Sequence, residues 1–141
     1  MKYAKWISAL MILFVPLMAV AQLQPNERIT TQVPFKFMIG DVVVPAGEVT
    51  LQLAESNGRA LAISNPDVKL SFFSLALPSV ANKAPTSSAL VFRKYGDRYF
   101  LAKVKIGDSR TGYEFRPGKL ENEMRAKNLV ATEEVLLASA R

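Results

Sequence analysis

Residues 89–106, ALVFRKYGDRYFLAKVKI, carry the clearest structural signal in the chain. Apolar and polar side chains alternate on both sides of Gly96-Asp97, and a Gly-Asp pair between two alternating runs is typical of a β-hairpin. By parity, the core side chains of this hairpin are Leu90, Phe92, Phe100, Ala102, Val104 and Ile106. The stretch therefore predicts two antiparallel strands, over 89–95 and 98–106, within a mainly β fold.

The segment before the hairpin continues the alternation, with turn residues about every ten positions. Residues 33–39 (VPFKFMI) and 48–53 (EVTLQL) each place their apolar side chains on one face. Turns are predicted at Gly40-Asp41, Pro45-Ala46-Gly47, Asn57-Gly58 and Asn65-Pro66-Asp67, where proline presets φ or glycine supplies a positive φ. Seven or eight short antiparallel strands are typical of a small barrel or a sandwich.

The strand predicted over 68–77 has apolar side chains on both faces. Val68, Leu70 and Phe72 share one face, and the series Phe73, Leu75 and Leu77 shares the other. We expect a β-bulge or a bend between Phe72 and Phe73, because it would turn both series into one core. The polar run PSVANKAPTSS, residues 78–88, then predicts the longest loop.

The end of the chain changes character. Residues 119–128 (KLENEMRAKN) are rich in helix formers and place Leu120 and Met124 four apart, which predicts one short amphipathic helix. Residues 133–140 (EEVLLASA) suit a strand or a helix, and we favour a closing strand.

The first 21 residues have the pattern of a cleaved secretory signal. Lys2 and Lys5 precede an apolar run of about a dozen residues, which is shorter than the roughly 20 needed to span a bilayer, and Ala19 and Ala21 suit signal peptidase. A retained anchor is the alternative. We therefore predict a signal peptide over 1–21, a flexible leader over 22–28 and a single β domain over 29–141, located in the periplasm or outside the cell.

Composition excludes several kinds of chemistry. The chain has no Cys and no His, so it has no disulfide, no imidazole base, no Cys or His zinc ligand and no Ser-His-Asp triad. We expect no catalytic residues, no metal and no cofactor. Without Lys2 and Lys5 the chain has 16 basic and 12 acidic residues, and this mild excess favours anionic partners without requiring them.

The hairpin also carries the candidate binding surface. Its cations and one aromatic side chain could contact an anionic envelope polymer or another exported protein; nucleic acid is not the expected partner. The candidate residues are Arg93, Lys94, Arg98, Tyr99, Lys103 and Lys105, of which Tyr99, Lys103 and Lys105 share the outward face by parity. The alternative is a solvated strand face on which lysine blocks edge pairing.

Two other kinds of site are considered. A small barrel can hold one apolar ligand, but the large inward set Phe35, Phe37, Phe72, Phe73, Phe92 and Phe100 favours a filled core. A glycosidase needs two carboxylates about 5 to 9 Å apart, whereas Asp41, Asp97, Asp108 and Glu114 lie at or near turns, where local hydrogen bonds explain them. An outer-membrane barrel is not expected, because most strands are too short and the outward faces are charged.

Several of these motifs resemble those of a group of small secreted bacterial β-proteins of unassigned function. The matching segments are VPFKF at 33–37, PAG at 45–47 and LVFRKYGDRYFL at 90–101; Val49 departs from the pattern, since the group often has an aromatic residue there. The resemblance implies fold and export, and it brings no site residues.

The sequence thus predicts an exported, non-enzymatic β-domain that acts by binding or as an envelope component. The alternative is a lipocalin-like carrier of a small apolar ligand, and a hydrolase is the third hypothesis. The binding module requires a filled core and a contiguous basic face. The carrier requires an internal cavity, and the enzyme requires two converging carboxylates.

Overall fold

The computed structural model describes residues 28–54 and 59–140. Within them lie one helix, α1 (Lys119–Ala126), and a single 3-10 turn at Pro66–Val68. The strands are β1 (Arg28–Val33), β2 (Phe37–Ile39), β3 (Val42–Val44), β4 (Gly47–Leu53), β5 (Ala60–Asn65), β6 (Leu70–Leu75), β7 (Leu77–Val80), β8 (Ser88–Tyr95), β9 (Arg98–Lys105), β10 (Thr111–Glu114) and β11 (Thr132–Ala140).

The strands form one sheet that curls into a nearly closed barrel. Its order is β3-β2-β9-β8-β11-β1-β4-β5-β6, and β10 pairs with both β9 and β7. β7 continues β6 beyond Ala76 and pairs with β10, which pairs with β9. The strand pairings therefore lead back to β9. All pairs are antiparallel except β2 with β9. The predicted fold class is confirmed, and the barrel is favoured over the sandwich.

Among the described strands β3 and β6 do not pair with each other, and the barrel is open along this seam. Glu114, the last residue of β10, pairs with Leu77, the first residue of β7. The chain then leaves the sheet through Pro117-Gly118 and enters α1. Since proline has no N–H to donate and the next residues are helical, β10 does not continue from β7 along β6.

The interior is filled by the apolar side chains that alternate along the strands. Phe92 makes edge-to-face contacts with Phe35 and Phe37, both with ring centroids 5.1 Å apart. Val33, Phe37, Ile39, Val49, Leu51 and Leu90 are buried as predicted, and Leu61 and Ile63 of β5 are buried with them. A packed aromatic cluster therefore occupies the middle of the barrel.

The turn at Pro45-Ala46-Gly47 is held by the turn at Asn65-Pro66-Asp67. The buried Asn65 side chain donates to the Pro45 carbonyl at 3.0 Å, and an Asp67 carboxylate oxygen accepts the Glu48 N–H at 2.9 Å. Gly47 has φ of 144°, and a Cβ there would lie 2.5 Å from that Asp67 carboxylate. Glycine is therefore required at this position by both backbone and space.

The bulge expected between Phe72 and Phe73 is absent. β6 pairs with β5 in unbroken register from Leu70 to Leu75. Leu70 and Phe72 pack against the core, whereas Phe73 and Leu75 are 75% and 79% exposed. The prediction that Phe73, Leu75 and Leu77 join the core was therefore wrong, because β6 keeps one phase and presents its second apolar face outward.

A bulge occurs instead in the hairpin between β8 and β9. Val91 pairs with Lys103 but Phe92 pairs with Leu101, so Ala102 is the extra residue. The parity of β9 reverses there: Leu101 joins the core cluster, and Tyr99 packs against it, stacked on Phe35 with centroids 3.7 Å apart. The prediction that Tyr99 faces outward with Lys103 and Lys105 was wrong for this reason.

Four smaller differences concern element bounds. The expected strand 33–39 is interrupted at residues 34–36, and the expected loop 78–88 is shorter, because β7 extends to Val80 and β8 begins at Ser88. More strands are present than the seven or eight predicted, and β1 already begins at Arg28, within the predicted leader. The helix and the closing strand β11 are confirmed.

Other predictions fall outside the described residues. The signal peptide, most of the leader and the Asn57-Gly58 turn belong to this group, although β4 and β5 on either side of that turn pair antiparallel as expected. In residues 28–54 and 59–140, no helix has the length and apolar character needed to cross a membrane.

Candidate functional site

Helix α1 covers the outer face of the β8–β9 hairpin. The reversed parity of β9 places Phe100 on this face, opposite Arg93 and in edge-to-face contact with Tyr95 at 5.7 Å between centroids. Phe100 is buried, as predicted, but beneath the helix and outside the core cluster. The bulge therefore produces a second apolar layer on which α1 rests.

A buried carboxylate fastens the helix to this layer. Glu121, only 2% exposed, accepts two hydrogen bonds from the Arg93 guanidinium and one from the Tyr95 hydroxyl at 3.1 Å. Arg125 donates to the Tyr95 hydroxyl at 3.0 Å, and this hydrogen bond is the main reason that the pKa of Arg125 is raised. These four side chains form a satisfied polar network with a structural role.

The start of α1 is held by the turn between β2 and β3. The Lys119 N–H donates to an Asp41 carboxylate oxygen at 2.8 Å, which satisfies one of the free donors at the helix start. A Cβ on Gly118 would lie 2.5 Å from the Gly40 carbonyl. Asp41 is therefore occupied in positioning the helix.

Four of the six candidate residues have partners within the protein. Arg93 is bound to Glu121, and the Lys103 ammonium lies 3.4 Å from the Glu114 carboxylate. The Lys94 ammonium lies 5.2 Å from the centre of the Tyr99 ring. The hydrogen bond with Tyr99 is the largest cause of the raised pKa of Lys94, which stays a cation at neutral pH.

The two remaining candidates are not close together. Arg98 and Lys105 are exposed at the first and last positions of β9, about 20 Å apart at the usual rise of a strand. Lys103 and Lys105 share one face of β9, opposite Val91 and Ala89, whereas Lys94 and Tyr99 form a pair on the other face. The structure therefore distributes the six candidate residues over two faces of the hairpin.

The acidic residues near the turns have structural roles. Glu114 pairs with Lys103, Asp41 caps α1, and Asp108 takes a left-handed turn conformation with φ of 60°. In the part of the chain that the structure describes, no group of three or more acidic side chains is arranged to hold a metal ion.

The open seam of the barrel contains an apolar groove of about 680 Å³. We call it the seam groove. Its walls come from the β2–β3 turn, from the β6–β7 strand and from the segment that follows β10. The lining residues are Ile39, Gly40, Asp41, Val42, Arg59, Phe73, Ser74, Leu75, Ala76, Leu77, Phe115 and Arg116. This volume lies within the range of about 300 to 1,000 Å³ that is usual for small-molecule sites.

The sequence signal for this groove is the second apolar face of β6. A strand that is apolar on both faces contacts apolar material on both faces, and Phe73 and Leu75 form the second such face of β6. The expectation that this face joins the core fails because β6 pairs with β5 in one unbroken register, which directs Phe73 and Leu75 outward.

Comparisons with models of protein families, with curated proteins and with solved structures found no match. A function is therefore inferred from the geometry of the described residues. Two surfaces enter that inference: the cations of the β8–β9 hairpin and the seam groove.

Proposed function

We propose that this chain is an exported, non-enzymatic binding module that holds its partner by apolar contact in the seam groove. Export is inferred from residues 1–21 alone, and the absence of an enzymatic role is inferred from the lack of His and Cys. The observation that carries the proposal is the exposure of Phe73 and Leu75 beside a groove, on a strand whose alternate residues pack in the core.

The size of the exposed apolar surface is sufficient for a weak to moderate complex. Covering a fully exposed Phe or Leu side chain is worth about 1.5–3 kcal/mol. Phe73 and Leu75 together would therefore contribute roughly 3–5 kcal/mol before the costs of association, and 4.1 kcal/mol corresponds to a Kd of about 1 mM. Leu77 and Val42, both partly exposed at the same groove, add to this amount.

The other hypotheses have less support. A lipocalin-like carrier would hold its ligand on the barrel axis, where Phe35, Phe37 and Phe92 pack together, so a carried ligand fits better in the seam groove. An anionic partner at the hairpin has less support, because two of the cations there, Arg93 and Lys103, already have carboxylate partners. A hydrolase would need two converging carboxylates, whereas Asp41 and Glu114 are held by other groups.

An anionic, apolar dye tests the proposed site. We expect the fluorescence of 8-anilino-1-naphthalenesulfonate to rise on addition of the folded protein, because the dye contacts the apolar wall of the groove. The variant Leu75→Ser should weaken dye binding about ten-fold, the usual effect of losing one buried leucine contact of about 1.4 kcal/mol or more.

The matched control is Leu137→Ser. Leu137 is 73% exposed, nearly as much as Leu75, but it lies on β11 and does not line the groove. Near-UV circular dichroism should be the same for both variants and the parent. No fluorescence change with the parent, or an equal loss in both variants, would contradict the proposal.

A further inference from the structure

We propose that the seam groove receives an extended, apolar polypeptide segment with a carboxylate near its amino end, which adds as an antiparallel strand to the open edge of β6. This inference rests on the proposed function and specifies the partner. The first support is that β6 ends the described sheet on one side and β3 ends it on the other, with the groove between them.

The backbone of β6 offers hydrogen-bonding groups to such a segment. The Ala76 N–H donates to the Arg59 carbonyl at 2.9 Å, so the peptide groups of Ala76 are directed toward the β5 side. Peptide groups alternate along an antiparallel strand. Those of Ser71, Phe73 and Leu75 are therefore directed toward the open edge, where an added strand could pair with them.

Both edges lack the features that usually prevent strand addition. Exposed edges are commonly blocked by lysine, proline or a bulge. β6 reads LSFFSL and β3 reads VVV, and neither contains a charge or a proline. The register of β6 with β5 is also free of bulges. An edge with these properties is suited to pairing.

The charge at one end of the groove specifies the partner further. Arg116 lines the groove and brings a positive charge to it. Arg116 lies two residues after Glu114, the partner of Leu77, and it lines the groove together with Leu75. An antiparallel segment brings its amino end to Leu75, so a carboxylate in its first residue would meet the Arg116 guanidinium.

The test uses a defined peptide, acetyl-Glu-Val-Thr-Val-Thr-Val-amide, and amide hydrogen exchange resolved by residue. We expect the peptide to slow exchange at Ser71, Phe73 and Leu75, and to leave Phe72 and Ser74 unchanged, since these already face β5. A peptide with the same side chains but N-methyl groups on the residues that pair with β6 places a methyl group against each β6 carbonyl. Its carbonyls therefore cannot come close enough to accept from Ser71, Phe73 and Leu75, and it should give no protection.

The charge is tested with a variant and with a second peptide. Arg116→Gln should weaken binding of the peptide about two- to five-fold, the effect of one exposed ion pair of 0.5–1 kcal/mol. Lys127→Gln, which removes an equal charge from the exposed end of α1, should leave binding unchanged. Replacing Glu by Lys in the peptide should also weaken binding.

The outcomes separate this inference from the proposed function. Dye binding without protection of Ser71, Phe73 and Leu75 would overturn strand addition and leave an apolar binding site. Equal protection by the N-methylated peptide would also overturn it. Absence of both dye binding and protection would overturn both proposals.

Discussion

Glu121 is the residue through which the helix is joined to the barrel. Its carboxylate is almost fully buried and is satisfied by Arg93 and Tyr95 of β8, with Arg125 3.7 Å away on the next turn. Within the described chain, no buried side-chain polar atom lacks a hydrogen-bond partner. Because the network is complete, it orients α1 at a single position on the sheet.

The variant Glu121→Gln should lower the free energy of unfolding by about 3 kcal/mol, because it leaves the largely buried Arg93 guanidinium without its counter-charge. Urea denaturation measures the change. The control is Glu123→Gln, at an exposed position of the same helix, which should change stability by less than about 0.5 kcal/mol. A similar, small loss in both variants would show that the buried ion pair does not hold the helix.

At the scale of the element, sequence patterns predicted the features that depend on residues close together in the chain. Alternation located the β8–β9 hairpin, and helix formers located α1. The bulge at Ala102 was not predictable in the same way, because Tyr99, Phe100 and Leu101 are all apolar enough to face inward and parity alone cannot choose among them. The outward direction of Phe73 and Leu75 depends on the unbroken register of β6 with β5, which is a tertiary property.

The phase of β6 can be tested with a pair of adjacent substitutions. Phe72→Ala should destabilise the protein by about 2–3 kcal/mol, because it opens a cavity at the core. Phe73→Ala should change stability by less than about 0.5 kcal/mol, since the ring it removes is largely exposed. Chemical denaturation of both variants measures the difference. Equal losses of stability would indicate that both rings are in the core, as the bulge expected from the sequence requires.

At the scale of the whole molecule, the described part of the barrel leaves one edge of β6 unpaired, beside β3. β7 pairs with β10 on one side and β6 pairs with β5 on the other, so no described strand pairs with β6 on the side where β10 joins β7. The candidate site that the sequence predicts is the group of cations on the β8–β9 hairpin, and it is separate from the seam groove. The groove arises from three segments far apart in the chain, so the second apolar face of β6 indicates only one of its walls.

Amide hydrogen exchange of the protein alone, resolved by residue, tests most directly the claim that the outer edge of β6 is open. The account predicts alternation along one strand: Phe73 and Leu75 exchange rapidly, whereas Phe72 and Ser74 exchange more slowly, by on the order of 100-fold. Slow exchange at all four residues would mean that the edge is already paired, and it would contradict the open seam on which the proposed function rests.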